Sequence, residues 1–322
     1  MPATFDMPLD QLEDYRGRGP RPRDFDAFWD KGLAQLSDID PQLELKPASF
    51  RTPFASCFHM YFTGTGGARI HAKLVHPKGG PTLRPAILRF HPYAESSGDW
   101  TGLLADAARG YTVAALDTRG QGGMSQDSGR FVGNTLRGHI VRGLDDVPEN
   151  LFYRHVYLDT ARLAQLVMAM DEVDADRVGV TGMSQGGGMA LACAALEPRI
   201  RLAAPIAPFL SDYLRVWEID LARDGYAQIQ EYFRRFDPLH EREDDIFNKL
   251  GYIDVQHLCG RIRARVMLSV GLMDTVCPPS TQFAAYNKIT SEKETLLYPD
   301  FGHEMPPGLA DKVYAFLGQL AD

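Results

Sequence analysis

The chain has 322 residues, 44% of them hydrophobic and 24% charged, with a formal net charge of −8. That length accommodates one large α/β domain or two small ones, in a composition ordinary for a globular protein. The acidic balance lacks the basic excess of nucleic-acid binders, and no stretch reaches the length of a transmembrane helix.

The first ten residues, Met1 to Asp10, contain neither a basic n-region nor an apolar h-region, so no signal peptide is expected. Residues 1–50 form an N-terminal extension. Within it Phe25, Phe28, Trp29 and Leu33 share one helical face, which predicts a helix pinned to the main body, with Asp24 as its N-cap. Alternating residues over 54–62 and 68–76 predict two strands joined as a hairpin through Gly64-Thr-Gly-Gly67. Ala86–Phe90 is a buried strand, residues 102–108 are helical, and Thr112–Asp117 is the next strand. Tyr153–Met168 is a long amphipathic helix. The acidic-basic turn Asp174–Arg177 leads into a short strand over Arg177–Thr181, then a small-residue helix over Met189–Leu196. Later strands are expected at 202–206, 265–271 and 294–298, with helices at 280–288 and 309–320. Strands alternating with helices imply a mostly parallel sheet covered on both faces. Residues 209–260 break the rhythm with aromatic and charged side chains and read as a helical insertion. Without a flexible linker or internal repeat, the chain is expected to be a single domain.

The most specific motif is Gly182-Met-Ser184-Gln-Gly186, placed between a strand and a small-residue helix. A serine at such a turn adopts a strained backbone and projects its hydroxyl. The small neighbours let strand and helix approach, and the helix N-terminus directs free N–H groups toward a developing oxyanion. A serine hydroxyl needs a base, and the base needs an orienting acid. In the α/β-hydrolase order both follow the serine. Asp274 lies in the loop after the strand ending at Gly271, and His303 in the loop before the last helix. The two oxyanion donors are expected to be the amide of Gln185 and that of Tyr93, because Pro92 has no N–H. His303-Glu304 does not continue into a His-Glu-x-x-His zinc pattern. The four cysteines, Cys57, Cys193, Cys259 and Cys277, are far apart and form no Cys-x-x-Cys pair, so no metal is assigned and a reducing cytoplasm fits.

Arg119-Gly120-Gln121, Gly182-Met-Ser184-Gln185-Gly186 and His303-Glu304, in that order, resemble the carbohydrate esterase family of acetyl xylan esterases and cephalosporin C deacetylases. The resemblance implies an α/β-hydrolase fold, a Ser184–His303–Asp274 triad and an oxyanion hole from Tyr93 and Gln185, with no cofactor. It implies deacetylation of small acetylated sugars and cephalosporin C, peracid formation from acetyl esters and peroxide, and a ring-shaped homohexamer with the hairpin near Gly64–Gly67 as an interface. His91-Pro92-Tyr93 departs from the family's usual His-Gly-Tyr. Arg119, Gln121, Glu304 and Pro92 read as substrate-binding or site-supporting residues, with Arg119 an internal strut onto loop carbonyls or a carboxylate such as Glu304. A peptidase, a general carboxylesterase and a non-catalytic binding protein are alternatives on the same fold. A nucleotide-binding protein is disfavoured by the absence of a phosphate-loop motif.

Overall fold

The computed structural model describes residues 6–127, 138–221 and 224–321; residues 1–5 of the extension and 222–223 of the insertion lie outside them. The architecture is α/β. Nine strands form one sheet: β1 (Glu44–Pro47), β2 (Ala55–Thr63), β3 (Arg69–Pro77), β4 (Arg84–Phe90), β5 (Thr112–Leu116), β6 (Val173–Met183), β7 (Ile200–Ile206), β8 (Arg265–Gly271) and β9 (Lys293–Tyr298). Their order is β1-β2-β3-β5-β4-β6-β7-β8-β9. Pairing is antiparallel from β1 to β5 and parallel from β5 through β4 to β9.

The sheet is covered on both faces. Helices α1 (Leu9–Asp14), α2 (Phe25–Ser37), α3 (Leu104–Ala108), α4 (Phe152–Met168) and α5 (Gln185–Leu196) occur before β7. Between β7 and β8 lie α6 (Tyr213–Glu218), α7 (Ala227–Phe236), α8 (Glu243–Gly251) and α9 (Val255–Leu258), and α10 (Pro279–Tyr286) and α11 (Leu309–Gly318) complete the set. Alternate strand residues serve opposite layers, as the two-residue strand period requires. Leu88, Val180 and Ala203 face the main core with α2, α4 and α5, while Ile87, Leu202 and Ala204 pack with α11. Helix α5 has all twelve residues buried, which explains its small, apolar sequence.

The N-terminal extension is bound into the body. Trp29 is fully buried, stacks on Tyr157 at 5.8 Å and donates its indole N–H to Tyr252 O at 3.1 Å. Burial of each such aromatic contributes about 1.5–3 kcal/mol. Asp212, in a left-handed conformation before α6, accepts from Tyr15 Oη at 2.7 Å and from the Gly19 amide at 2.8 Å.

Local details differ from the sequence reading. Asp24 makes no side-chain cap; its carboxylate instead accepts from Tyr252 Oη at 2.6 Å. Asp174–Arg177 is not a turn before the strand but an irregular stretch inside β6, where the register to β4 shifts. Asp174 there accepts from the Asp176 amide and pairs with Arg177, a local bonding pattern that imitates a turn. Strand β1, four exposed residues at the sheet edge, has no counterpart in the alternation pattern. The hairpin turns at Gly66 and Gly67, with φ of +67° and +74°. Its first glycine, Gly64, is buried against Asp159.

Candidate active site

The strand order reverses between β4 and β6, since β4 is flanked by β5 on one side and β6 on the other. In open α/β sheets the crevice beyond the strand C-termini at this switch point is where ligands bind. Tyr93 follows β4 and Ser184 follows β6, so both candidates flank that crevice.

Ser184 has φ +57° and ψ −119°, a conformation that costs a non-glycine residue on the order of 1–3 kcal/mol. The turn is as tight as the motif requires. A Cβ at Gly182 would stand 2.5 Å from both Gly186 O and Phe90 O, and one at Gly186 would stand 2.1 Å from Phe90 O. The Ser184 amide donates to Ile206 O at 2.9 Å, while its carbonyl accepts from Gly188 and Phe209. The residue is 7% exposed, and among the described residues its hydroxyl makes no hydrogen bond. A nucleophile–base contact that tightens only with substrate is common in free enzymes.

Asp274 is fully buried in the loop after β8. One oxygen accepts from the Val276 and Cys277 amides at 2.9 and 2.8 Å. The other meets His303 Nδ1 at 2.8 Å and Gln282 Nε2 at 3.3 Å. With Asp274 as acceptor, Nδ1 carries the proton and Nε2 is left as the basic nitrogen. Gly271 makes the meeting possible, because a Cβ there would stand 2.5 Å from Phe301 O and 2.6 Å from Gly302 O. Asp274 and His303, 29 residues apart in sequence, are therefore brought together by the loops after β8 and β9, and Ser184 stands at the end of β6.

The loop bearing Tyr93 is held by a buried amide network. The Ala94 amide donates to Gln121 Oε1 at 3.0 Å. The side chains of Gln121 and Gln185 bond reciprocally at 2.7 and 2.9 Å, and Tyr153 Oη donates to Gln185 Oε1 at 2.8 Å. Gln121 thus ties the Tyr93 loop to the first residue of α5. The Tyr93 hydroxyl accepts from Gln228 Nε2 of α7 at 2.7 Å and lies 2.7 Å from His139 Nδ1. Burial, aided by nearby Arg142, draws the His139 pKa down to about 4, so the ring is neutral at pH 7. His91 accepts the Thr118 amide at Nε2 and faces Pro92 O through Nδ1, and burial lowers its pKa too. The Pro92 ring lines a cleft of about 480 Å³ together with Met183, Ile206 and Met305.

Arg119 is fully buried and forms a bidentate pair with Asp159 of α4, both contacts at 2.7 Å, while also bonding Thr65. It is a strut, and its carboxylate is Asp159 rather than Glu304. Glu304 is exposed and accepts from the Gly302 amide at 3.2 Å. Burial pushes the Asp159 carboxyl upward against the pull of Arg119, so the pair is held by the fork geometry. Asp159, Tyr153, His139 and Gln228 escaped the sequence reading. The string Tyr153-Arg-His-Val-Tyr-Leu-Asp159 contained two of them, but the helical period alone gives no reason to pair Asp159 with Arg119.

Residues 1–320 match the acetyl xylan esterase (AXE1) family. Acetyl xylan esterase 1 from Thermoanaerobacterium sp. JW/SL YS485 is 56% identical, with 99% of this chain and 100% of that one covered and a TM-score of 0.96. The acetyl xylan esterase from Paenibacillus sp. R4 is 37% identical, with 97% and 99% covered and a TM-score of 0.91. The acetyl esterase Axe7A of Xylanibacter ruminicola is 25% identical over 86% of this chain, which spans 62% of that relative's length. No described helix is long and apolar enough to cross a membrane. Motif order, switch-point geometry and a match across nearly the whole length agree: the chain belongs to the acetyl xylan esterase family.

Proposed function

We propose that the chain is a serine esterase that removes acetyl groups from small acetylated xylo-oligosaccharides, with Ser184 as nucleophile, His303 as base and Asp274 as orienting acid. The observation that carries this reading is the 2.8 Å contact of His303 Nδ1 with buried Asp274, in a chain of the acetyl xylan esterase family whose Ser184 holds a strained conformation at the end of β6. His303 Nε2 takes the Ser184 proton as Oγ attacks the acetyl carbonyl. The amides of Tyr93 and Gln185 receive the oxyanion. His303 then passes the proton to the sugar oxygen, which leaves as the alcohol. Water, losing a proton to Nε2, attacks the acetyl-serine carbonyl; Nε2 returns that proton to the departing Ser184 Oγ, and acetate is released. Each step is proton transfer and acyl transfer among the chain's own groups, so no cofactor enters the scheme.

The same site chemistry extends to cephalosporin C and, with peroxide as acceptor, to peracid formation. A homohexamer and a cytoplasmic location complete the proposal; light scattering that finds a monomer at working concentration would remove the first. The deciding assay is acetate release from acetylated xylose by wild type and Ser184→Ala. Release that vanishes in the variant supports substrate and nucleophile together. Cleavage of p-nitrophenyl acetate without release from the sugar keeps the esterase and discards the sugar.

A further inference from the structure

Cys277 has no task in acyl transfer, yet its sulfur lies beside the two residues that prime the serine. Its Sγ, an Asp274 carboxylate oxygen and a His303 ring nitrogen all lie within 4.8 Å of one another. The nitrogen facing Asp274 is Nδ1. The pocket is rigidly braced: the Val276 and Cys277 amides fix one Asp274 oxygen, and Gln282 Nε2 bonds both Asp274 and Cys277 O. The Oε1 of that same Gln282 amide is buried and has no hydrogen-bond partner among the described residues. A sulfur, an imidazole nitrogen and a carboxylate oxygen are thus gathered next to an unsatisfied amide oxygen.

We propose that this cluster is an inhibitory site for a thiophilic divalent cation of the zinc type, an inference that rests on the triad reading above. The mixed S, N and O donor set suits zinc and its neighbours, while magnesium and calcium prefer all-oxygen sites. Bonds of about 2.0–2.3 Å in a tetrahedron set donors roughly 3.3–3.7 Å apart, so the cluster contracts around sulfur and opens slightly between Asp274 and His303. Binding expels the Cys277 thiol proton to solvent, because the ligand is the thiolate. The Nδ1 proton is replaced by the metal and reappears on Nε2, which keeps the imidazole neutral. Nε2–H cannot accept the Ser184 proton, and acylation stops. His303, with its side chain 17% exposed, is the member through which the ion gains entry. The sequence hides this site because Cys277 and His303 belong to different loops, outside any short zinc spacing.

The test is titration of the full chain with Zn²⁺ in a non-chelating buffer, reading p-nitrophenyl acetate cleavage relative to each variant's own uninhibited rate. Wild type is expected to lose activity reversibly, with recovery on EDTA and no response to Mg²⁺. Cys277→Ala, with Cys277→Ser as a second variant should the first fail to fold, is expected to raise the half-inhibiting concentration on the order of 10-fold or more. Co²⁺ added to Ser184→Ala is expected to give a near-ultraviolet thiolate-to-cobalt absorption that vanishes when Cys277→Ala is added. Equal inhibition of wild type and both Cys277 variants, or no cobalt–thiolate band, overturns the proposal. If Ser184→Ala retains activity, the triad reading falls, while the cobalt band still decides whether the metal site exists.

Discussion

Ser184, Asp274 and His303 stand on three separate loops after β6, β8 and β9, whereas Arg119, Gln121, Tyr153, Asp159 and Gln185 interlock as buried groups beneath them. In the first set, among the described residues, the serine hydroxyl makes no hydrogen bond and the histidine is bonded through Nδ1 alone. In the second, strong donors and acceptors are matched: a bidentate guanidinium–carboxylate pair and a reciprocal amide pair. The contrast has a physical cause. A reacting atom must be under-coordinated to accept a new bond, while a buried polar support is tolerable only when satisfied. Substitution of the under-coordinated Ser184 should therefore change rate without changing stability, whereas Asp274, buried and bonded by the Val276 and Cys277 amides, shares the character of a support. Substitutions in the supporting set should change both.

The largest expected effect belongs to Ser184→Ala. Loss of the proposed nucleophile should lower kcat on the order of 10⁴-fold or more, with the melting temperature within a degree or two of wild type. Thermal melts beside acetate-release rates check it. A large drop in melting temperature would break the comparison, because the serine would then also be a support.

The Asp274–His303 contact was far easier to anticipate from the sequence than the supporting network. Ser184, Asp274 and His303 each follow a predicted strand in a fixed order, so one-dimensional position carries most of the expectation for them. Arg119 was legible as a strut, yet its partner was not, because Asp159 sits on the inward face of α4 and no local rule joins a loop to a distant helix. Glu304 entered as half of the His303-Glu304 motif, yet it is exposed and bonds only within its own turn among the described residues. Asp24 matched cap statistics, but the longer reach of Tyr252 claimed its carboxylate. Strand β1 lacked alternation because every residue in it is exposed.

Next in size is Arg119→Ala. Removing the cation leaves Asp159 buried and uncompensated, which should cost about 3–5 kcal/mol, with activity falling in parallel. Arg119→Lys retains the charge but not the fork and should recover only part. Denaturant unfolding read together with kcat/KM measures this. Unchanged stability with lost substrate binding would move Arg119 into the reacting set.

Acid offers a graded test of the support under Tyr93. The folded-state pKa of His139, about 4, lies below the ordinary histidine value because its neutral ring is buried. The unfolded chain therefore binds more protons than the folded one between about pH 6.5 and 4. The stability that His139 contributes is complete above that window and is lost as pH falls through it, at most about 3 kcal/mol. His139→Asn should flatten this part of the stability–pH curve. The buried rings of His155 and His257, each lowered to about 3, should leave a residual slope.

The smallest effect tests the outermost support. Gln228 Nε2 donates to the Tyr93 hydroxyl, and its Oε1 accepts the Ile140 amide at 2.8 Å. Gln228→Ala removes both and leaves a buried N–H unpaired, a loss of about 1–3 kcal/mol. If Gln228 acts only through Tyr93, the displaced loop should misplace an oxyanion donor. kcat should then fall by roughly tenfold, the equivalent of 1.4 kcal/mol in the barrier, with KM little changed. Gln228→Glu keeps the acceptor for Ile140 but loses the donor to Tyr93, so it should recover stability more than rate. A variant pair in which rate and stability recover together would make α7 a plain structural cover. Separate recovery would place the insertion in control of the oxyanion loop, joining the supporting set to the reacting one through Tyr93.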